Sequence, residues 1–377
     1  MSDRTILPPA TLGVLGGGQL GRMFALAARA MGYGVVALEP DPDAPVRHVV
    51  DEQLVAPYDD EAALDVLAAR CAVVTTEFEN PPSSALERLA ARTIVAPSPN
   101  AVAATQDRIA EKAFLVDSGM PVGRSAVLRD RSDLDGAGEI GFPAILKTAR
   151  LGYDGRGQRR VESAEALEQS FSELGDVPCV LEAELSLDAE LSVVCARGAD
   201  GAFSAFPVAE NRHVDGILDL TMVPADVPPA LTTDAIDLAE SIAHGLDYRG
   251  VLAVELFVVG DTLLVNEVAP RPHNSGHWTL DACRTSQFEQ QVRAICGLPL
   301  GDTTLTAPVA MLNVLGDAWA HGAPDWSSVL AEPGSSLHLY GKHDARPGRK
   351  MGHVTVTGAS PAEVRGAINR IRSILAR

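Results

Sequence analysis

The 377-residue sequence lacks long apolar runs, cysteine pairs and an excess of positive charge. No apolar run approaches the roughly 18 residues of a membrane-spanning helix, and the N-terminal residues lack the long apolar stretch of a secretion signal. Five cysteines without a CxxC spacing argue against disulfides and zinc and are typical of thiols kept reduced in a cytosol. We therefore expect a soluble cytoplasmic enzyme.

The charge balance is acidic, with 31 Lys and Arg against 50 Asp and Glu and a formal net charge of −19. This balance argues against general binding to the phosphate backbone of DNA or RNA, although it leaves room for a local basic pocket. Hydrophobic residues make up 46% and charged residues 21%, which excludes a disordered chain. At roughly 100–200 residues per domain, the length predicts two or three domains.

Strand and helix signals alternate over residues 11–105. Thr11–Leu15 is an apolar strand, and the run GGGQLG at residues 16–21 follows it before a helical apolar pattern. Such alternation predicts a doubly wound parallel sheet. The run also fits GxGxxG, and Glu39 ends the next predicted strand. The motif alone leaves three possibilities open: a nicotinamide cofactor, another phosphate ligand, or a structural turn.

Lys147 ends an apolar strand, and the glycine-rich stretch Gly152–Gln158 follows it closely. Glycines let this backbone fold over phosphates and close as a lid, while the lysine and Arg156 supply positive charge. A hairpin with a loose turn is the alternative interpretation. The GxxxxGK[ST] spacing of a Walker A loop does not occur here.

Glu255 and Glu267 interrupt two apolar strands that are expected to form a hairpin. A two-residue loop would place Glu255 opposite Asn266, whereas an odd loop such as Gly260–Thr262 pairs Glu255 with Glu267. Two facing carboxylates repel unless a cation lies between them. We predict an odd loop and Mg²⁺ between the two side chains. Two edge-strand glutamates in water are the alternative.

Two polar segments follow the hairpin. The first, Ala269–Trp278, places Arg, His, Asn and Ser side chains in a loop fixed by two prolines and a glycine, which suits recognition of a small anion. The second, residues 340–353, holds most of the positive charge of the C-terminal region. It is a candidate anion site, with a solvated turn as the alternative.

Taken in order, these features resemble an ATP-grasp ligase, specifically the N5-carboxyaminoimidazole ribonucleotide synthetase family of de novo purine synthesis. The resemblance covers about residues 12–357. It rests on Lys147 and Glu190, on GYDGRGQ at residues 152–158, and on NEVAPRPHNSGHW at residues 266–278. Further matches are GGGQLGRM at residues 16–23, TTEFEN at 75–80, NRHVDG at 211–216, and YGK and GRKMGH at 340–342 and 348–353.

The resemblance implies an ATP-grasp fold of α/β and α+β type with four domains. These are an N-terminal doubly wound parallel-sheet domain (1–105), a small subdomain with the glycine-rich lid (106–190), a large subdomain with the metal site (191–300) and a C-terminal domain (301–377). The implied reaction joins bicarbonate to 5-aminoimidazole ribonucleotide, with ATP converted to ADP and phosphate through carboxyphosphate. The implied cofactors are ATP and Mg²⁺, expected as two ions, in a homodimer with no nucleic-acid or membrane partner.

The resemblance also implies a role for each matching residue. The metal ligands are Glu255 and Glu267, and the catalytic residues are Asp154, Arg271, His273 and Lys342. The substrate-binding residues are Gly18, Gln19, Leu20, Glu77, Asn274, Ser275, Lys342 and Arg349. The ATP-binding residues are Arg108, Lys147, Gly152, Tyr153, Asp154, Gly155, Arg156, Gly157, Gln158, Glu182, Ala183, Glu184, Leu185, Glu190, His213, Asn266 and Glu267.

Ala183 departs from the resembled family, which usually has a bulky residue at this position of the adenine pocket. Three other functions stay open at this point. One is a related ATP-grasp ligase such as a formate-using transformylase, against which the basic C-terminal motif weighs. The second is an NAD-dependent oxidoreductase, which leaves Lys147, Asp154 and the glutamate pair unexplained. The third is a sensor that binds the ribonucleotide without turnover and has no need of paired metal carboxylates.

Overall fold

The computed structural model describes residues 5–152, 155 and 157–376. The roles expected for Tyr153, Asp154 and Arg156 therefore lie outside the described residues. Among those that are described, three sheets organise the chain, and no helix is both long and apolar enough to cross a membrane.

The N-terminal sheet is parallel, which confirms the doubly wound arrangement expected from the alternating strand and helix signals. Its strand order is β3-β2-β1-β4-β5, and the central strands are apolar and buried because helices cover both faces. The carboxyl ends of neighbouring β1 and β4 bring the glycine turn beside Glu77. The elements are β1 (Thr11–Leu15), α1 (Gln19–Ala30), β2 (Gly34–Leu38), β3 (Glu52–Leu54), α2 (Glu61–Arg70), β4 (Val73–Thr76), α3 (Ser83–Ala90), β5 (Ile94–Val95) and α4 (Pro99–Gln106).

The second sheet is small and antiparallel, in the order β6-β9-β7-β8. Helix α5 (Arg108–Asp117) leads into this sheet, and Asp107 caps its N-terminus by accepting hydrogen bonds from the Ile109 and Ala110 amides. The lysine predicted at a strand end lies in β7, one residue before its last position. The elements are α5 (Arg108–Asp117), β6 (Ser125–Leu128), α6 (Leu134–Ala137), β7 (Ala144–Thr148), β8 (Gln158–Val161), α7 (Ala164–Glu173) and β9 (Cys179–Ala183).

The third sheet has nine antiparallel strands and includes the C-terminal strands of the chain. Its path runs β15-β14-β10-β12-β13-β16-β18-β17, and β11 pairs with β10. Its strands are β10 (Ala189–Arg197), β11 (Phe203–Ala205), β12 (Ala209–Val214), β13 (Ile217–Val223), β14 (Gly250–Val259), β15 (Thr262–Ala269), β16 (Val309–Leu315), β17 (Ser335–Leu339) and β18 (Lys350–Thr357). Its helices are α8 (Pro229–Gly245), α9 (Thr279–Ala282), α10 (Gln287–Ile295), α11 (Trp326–Leu330) and α12 (Pro361–Leu375).

The β14–β15 hairpin pairs the two glutamates by a different route from the one predicted. The prediction of an odd loop is wrong, because Val259 pairs with Thr262 across a two-residue loop. The register shifts farther along, where Leu256 pairs with Val265 but Glu255 pairs with Glu267. Asn266 is the extra residue of this β-bulge, which supplies the one-residue shift that the loop does not. The expected facing of Glu255 and Glu267 is therefore confirmed.

Candidate functional site

The facing glutamates differ in their electrostatic surroundings. The Glu255 side chain is 13% exposed and the Glu267 side chain 31% exposed. Burial, followed by repulsion from Glu267, raises the pKa of Glu255 to about 7. Burial also acts to raise the pKa of Glu267, but the charges of Arg108 and Lys147 outweigh it and lower that pKa. An Arg108 nitrogen lies 2.9 Å from a Glu267 oxygen.

This carboxylate pair fits a hard divalent cation. Mg²⁺ takes oxygen ligands and is commonly held by one or two carboxylates together with substrate phosphates and water. In the described part of the chain, no group of three or more His, Cys, Asp or Glu side chains is placed to hold a metal ion. The pair therefore fits an ion whose remaining ligands come from a bound phosphate ligand.

Two lysines converge on one buried carboxylate next to the pair. Nζ of Lys147 lies 2.6 Å from one oxygen of Glu182, and Nζ of Lys112 lies 2.9 Å from the other. Burial opposes ionisation of Glu182, but these two ammonium groups overcome it and lower its pKa to about 2. The cluster contacts the bulge residue, because Lys112 donates to the Asn266 carbonyl at 3.2 Å and Lys147 to its side-chain oxygen at 3.4 Å.

A chain of hydrogen bonds orients the ring of His273. Ser192 donates to the Ser275 hydroxyl at 2.8 Å, and that hydroxyl lies 2.9 Å from Nδ1 of His273. The Ser275 amide also donates to Nδ1 at 3.3 Å. Since Nδ1 accepts, the ring proton of the neutral histidine lies on Nε2, which faces a Glu255 oxygen at 3.5 Å. Burial, reinforced by the Arg271 charge, lowers the pKa of His273 and keeps this ring neutral.

The loop around His273 is tied to two other parts of the protein. Gln287 on α10 accepts from the His273 amide at 2.9 Å and donates to the His273 carbonyl at 2.8 Å. Arg271 forms an ion pair with Glu79, which follows β4 of the N-terminal sheet. Asn274 is buried and exchanges hydrogen bonds with Asn313 of β16. The polar loop thus lies where the N-terminal and large sheets meet.

The N-terminal glycine turn encloses a carboxylate. Glu77 accepts from the Gly18 amide at 2.7 Å and from the Gly21 amide at 2.8 Å. Burial raises the pKa of Glu77, although these two amides act in the opposite direction. Because the carboxylate occupies two amides of the GxGxxG motif, the motif presents fewer free donors than a dinucleotide pyrophosphate site needs. Gln19 and Leu20 lie at the N-terminus of α1, where helix amides favour an anion.

The basic C-terminal loop packs against the buried rings of Tyr340 and His353. Nζ of Lys342 lies 5.6 Å from the centre of the Tyr340 ring and donates to the Lys350 carbonyl at 2.8 Å. The Tyr340 hydroxyl lies 2.9 Å from Nδ1 of the buried His353. Arg349 donates to the Asp344 carbonyl at 3.0 Å.

The remaining predicted ATP-site residues lie in three places. His213 of β12 forms an ion pair with Glu190 of β10, and hydrogen bonding to that carboxylate raises the pKa of His213 although burial opposes the shift. Glu184 forms an ion pair with Arg160 of β8 at 2.7 Å. Of the other residues, Ala183 ends β9 and Leu185 follows two residues later. Gly152, Gly155 and Gly157 lie in the stretch between β7 and β8, and Gln158 begins β8.

The glycine-rich stretch contacts the β12–β13 turn. Gly155 and Gly157 both have positive φ, at 76° and 72°, which favours glycine. A Cβ added to Gly155 would lie 2.9 Å from the Asp215 carbonyl oxygen. The loop therefore approaches that turn more closely than a residue with a side chain would permit.

Sequence reasoning missed three residues of this site: Glu111, Lys112 and Gln287. Glu111 is buried and accepts from the Val268 amide at 2.6 Å, and burial raises its pKa to about 8 although Arg108 opposes the shift. The first two carry a sequence signal, because together with Arg108 they share one face of α5 at i, i+3 and i+4 spacing. No such pattern marks Gln287.

Comparison with known proteins matches three successive parts of the chain to three domain families. The ribonucleotide synthetase preATP-grasp domain matches residues 9–106, and the ATP-grasp domain matches residues 113–288. The phosphoribosylaminoimidazole carboxylase C-terminal domain matches residues 309–367.

Several relatives match over nearly their whole length. The N5-carboxyaminoimidazole ribonucleotide synthase of Brucella melitensis is 46% identical over 358 residues, which are 94% of this chain and 98% of the relative. The Bacillus subtilis enzyme of the same name is 43% identical, covering 94% of this chain and 93% of the relative.

Solved structures agree with these relatives. The N5-carboxyaminoimidazole ribonucleotide synthetase of Thermus thermophilus has a TM-score of 0.90 and 40% identity, covering 97% of this chain and 99% of that one. The Aspergillus clavatus N5-carboxyaminoimidazole synthase, in complex with ADP and 5-aminoimidazole ribonucleotide, has a TM-score of 0.89 and 32% identity, covering 97% of this chain and 98% of that one.

Proposed function

The chain belongs to the N5-carboxyaminoimidazole ribonucleotide synthase family, and we propose that the residues around Glu255 and Glu267 form its ATP site. It is an ATP-dependent ligase with the ATP-grasp fold, and it carboxylates 5-aminoimidazole ribonucleotide. The observation that carries the site assignment is the register pairing of the two glutamates beside Lys147 and Arg108.

In this proposal, cations of the chain hold the ATP phosphates. Lys147 and Arg108 each lie beside a site carboxylate, and both would contact phosphate oxygens when ATP enters. Glu255 and Glu267 would hold Mg²⁺, expected as two ions, which when bound neutralises charge on the triphosphate. The glycine-rich stretch Gly152–Gln158 covers the phosphates, and β9 with Leu185 provides the adenine contact. Glu190 contacts the ribose, and His213, which is paired with Glu190, contributes another position of the ATP site.

Arg271 and the neutral His273 would bind bicarbonate. The Nε2 proton of His273 and the Arg271 guanidinium are both donors suited to carbonate oxygens. A bicarbonate oxygen attacks the γ-phosphorus of ATP, so that carboxyphosphate forms and ADP leaves. The amine nitrogen of the ribonucleotide then bonds to the carboxyl carbon, phosphate departs and the amine loses a proton. Asp154, outside the described residues, is the candidate acceptor of that proton.

The ribonucleotide is proposed to lie between the N-terminal and C-terminal loops. Lys342 and Arg349 bind its phosphate from one side, and the amides of Gln19 and Leu20 at the start of α1 bind it from the other, next to Gly18, whose own amide donates to Glu77. Glu77, Asn274 and Ser275 complete the substrate site, in which Glu77 and Asn274 set the shape of the loops through their own hydrogen bonds.

The cellular setting and assembly are part of the same proposal. All five cysteines are unpaired thiols, which supports a reducing compartment such as the cytoplasm. A homodimer is expected from the family resemblance, and sedimentation equilibrium of the purified protein would test it. The four domain bounds 1–105, 106–190, 191–300 and 301–377 also stay predictions.

Isotope transfer tests the proposed chemistry. ADP should accumulate only when ATP, 5-aminoimidazole ribonucleotide and bicarbonate are supplied together, and formate should not replace bicarbonate. With bicarbonate labelled by ¹⁸O, the released phosphate should carry one labelled oxygen, because that oxygen attacks phosphorus. Unlabelled phosphate, or ADP formation with formate, would contradict the proposal, and formate use would favour the transformylase alternative.

A further inference from the structure

Lys112 is a buried cation to which the reaction described above gives no part. Its side chain is only 7% exposed, and lysine is rarely buried without a partner. We propose that Lys112 is a positioning residue for ATP binding, which holds the Glu182 carboxylate so that Lys147 can leave it for the nucleotide phosphates. This inference rests on the proposed function of Lys147.

The geometry gives each lysine its own oxygen of Glu182. Lys147 takes one oxygen at 2.6 Å and Lys112 the other at 2.9 Å. Lys112 is held by a second acceptor, the Asn266 carbonyl at 3.2 Å, which belongs to the bulge of β15. Lys112 thus connects the Glu182 side chain of β9 to the main chain of β15 from helix α5.

Lys147 has the weaker second contact and the more open setting. It lies in β7, directly before the chain that leads into the glycine-rich stretch. Its other acceptor is the Asn266 side chain at 3.4 Å, and 12% of its side chain is exposed. Of the two ammonium groups, Lys147 is therefore the one that phosphate can draw away.

The energetics follow from the burial of Glu182. A buried carboxylate without a partner is strongly unfavourable, so phosphate can take Lys147 only if another cation stays with Glu182. Lys112 is that cation, because its contact with the second oxygen does not depend on Lys147. Without Lys112, ATP would have to separate Lys147 from a carboxylate that has lost its other lysine.

A pair of variants tests this mechanism. Lys112→Met should weaken binding of a non-hydrolysable ATP analogue with Mg²⁺ by about tenfold or more, because separating Lys147 from a buried carboxylate that has no other cation costs at least this much. Lys112→Met combined with Glu182→Gln should bind the analogue within about threefold of Glu182→Gln alone, since no buried charge then retains Lys147 and any direct effect of Glu182 on nucleotide binding is common to both proteins. Calorimetric titration measures both, and steady-state KM values for ATP should follow.

The KM for 5-aminoimidazole ribonucleotide is the internal control and should stay within about twofold in both variants. Arg370→Met, which removes a surface cation paired with Glu332 at 2.9 Å, is the control for loss of one positive charge away from the site. Unchanged analogue affinity in Lys112→Met overturns the inference. So does analogue binding that is about tenfold or more weaker in the double variant than in Glu182→Gln alone, because that result shows a merely structural role.

Two further measurements separate the possible failures. If Lys147→Met leaves analogue affinity unchanged, the proposed function of Lys147 is wrong; if it weakens binding while Lys112→Met does not, only the inference about Lys112 is wrong. Should Lys112→Met fail to fold, Glu182→Gln is compared with the double variant. Equal affinities of those two support the inference, because Lys112 then acts only through the carboxylate, and a tenfold difference overturns it.

Discussion

At the scale of residues, the cations expected to hold ligand already contact carboxylates of the chain. Arg108 pairs with Glu267, Lys147 with Glu182, and Arg271 with Glu79. Each pair avoids the cost of a buried unpartnered charge. Ligand anions must therefore exchange with internal carboxylates, and the cost of that exchange reduces the affinity that the cations would otherwise provide.

Replacing Glu267 by Gln tests the importance of the acidic pair. The amide keeps the size of the side chain but removes the charge that a divalent cation needs. We expect kcat for ADP formation to fall at least about 100-fold, because metal neutralisation contributes several kcal/mol to such reactions. Thermal unfolding should change little. Glu289→Gln, in an ion pair with Arg293 and similarly exposed, is the control, and near-native turnover by Glu267→Gln would contradict the metal assignment.

Glu111 predicts a pH dependence of stability. Burial raises its pKa to about 8 from 4.5, so folding favours the protonated form. The stabilising contribution is complete below about pH 4.5 and is lost as pH rises through about 8, at up to about 1.4 kcal/mol per pH unit. Glu111→Gln keeps an acceptor for the Val268 amide and cannot ionise.

The native protein should therefore lose thermal stability relative to Glu111→Gln as pH rises from about 6 to about 9. Differential scanning calorimetry of both proteins in low-salt buffers without nucleotide measures this difference. A constant difference in melting temperature across that range would show that Glu111 ionises as it does in the unfolded chain.

At the scale of elements, sequence patterns predicted most strands because their apolar residues alternate with strong turn signals. The strand Thr11–Leu15 has the predicted bounds, and the helical apolar pattern after the glycine run forms α1. The prediction of an odd hairpin loop was wrong because a β-bulge leaves no periodic pattern of apolar residues in the sequence. Asn266 is a polar residue between Val265 and Glu267, and the sequence does not show which strand position carries the extra residue.

The site was predictable where chemistry is concentrated in short motifs, and less so where packing creates it. Glu255, Glu267 and Lys147 stand out because charged residues interrupt apolar strands. Gln287 could be recognised only from the structure, because its side-chain amide bonds the main chain of His273, 14 residues away in sequence. Lys112 becomes important only through β9, which is 70 residues distant in the chain.

Lys342 and Tyr340 lie between β17 and β18, and we expect ribonucleotide binding by Lys342 to depend on Tyr340. The ring supports the ammonium, and its hydroxyl is held by His353. Tyr340→Phe removes only the hydroxyl bond, so the KM for 5-aminoimidazole ribonucleotide should rise about threefold to tenfold while the KM for ATP is unchanged. Lys342→Ala should raise the same KM further.

A double variant distinguishes positioning from general damage. If Tyr340 acts through Lys342, Tyr340→Phe should have no further effect on the ribonucleotide KM in the Lys342→Ala background. Steady-state kinetics of the four proteins measure this coupling. Equal effects of Tyr340→Phe in both backgrounds would show that the tyrosine does not act through the lysine.

At the scale of the whole molecule, α10 joins the N-terminal sheet to the large sheet. Phe288, Val292 and Ile295 share one apolar core with α1, including Phe24 and Met23. The same helix packs on β14, and Gln291 accepts from the Val251 amide while donating to the Thr75 hydroxyl at 2.9 Å. The helix that follows the polar loop around His273 thus also ties the large sheet to the N-terminal sheet that carries the glycine turn.

This shared core predicts that the N-terminal unit does not fold fully alone. A fragment of residues 5–106 contains β1–β5 and α1–α4 but loses the side chains of α10 that cover α1. Units of about 100 residues have little stability to spare, and deleting one buried aromatic already costs about 3–5 kcal/mol. We expect the fragment to keep part of its secondary structure, bind a hydrophobic dye and unfold without a cooperative transition.

Circular dichroism with thermal melting of the fragment, run beside the intact chain, measures this loss of cooperativity. A sharp transition within about 5 °C of the intact chain, which a difference of roughly 1 kcal/mol would produce, would mean that α10 adds little to the N-terminal core.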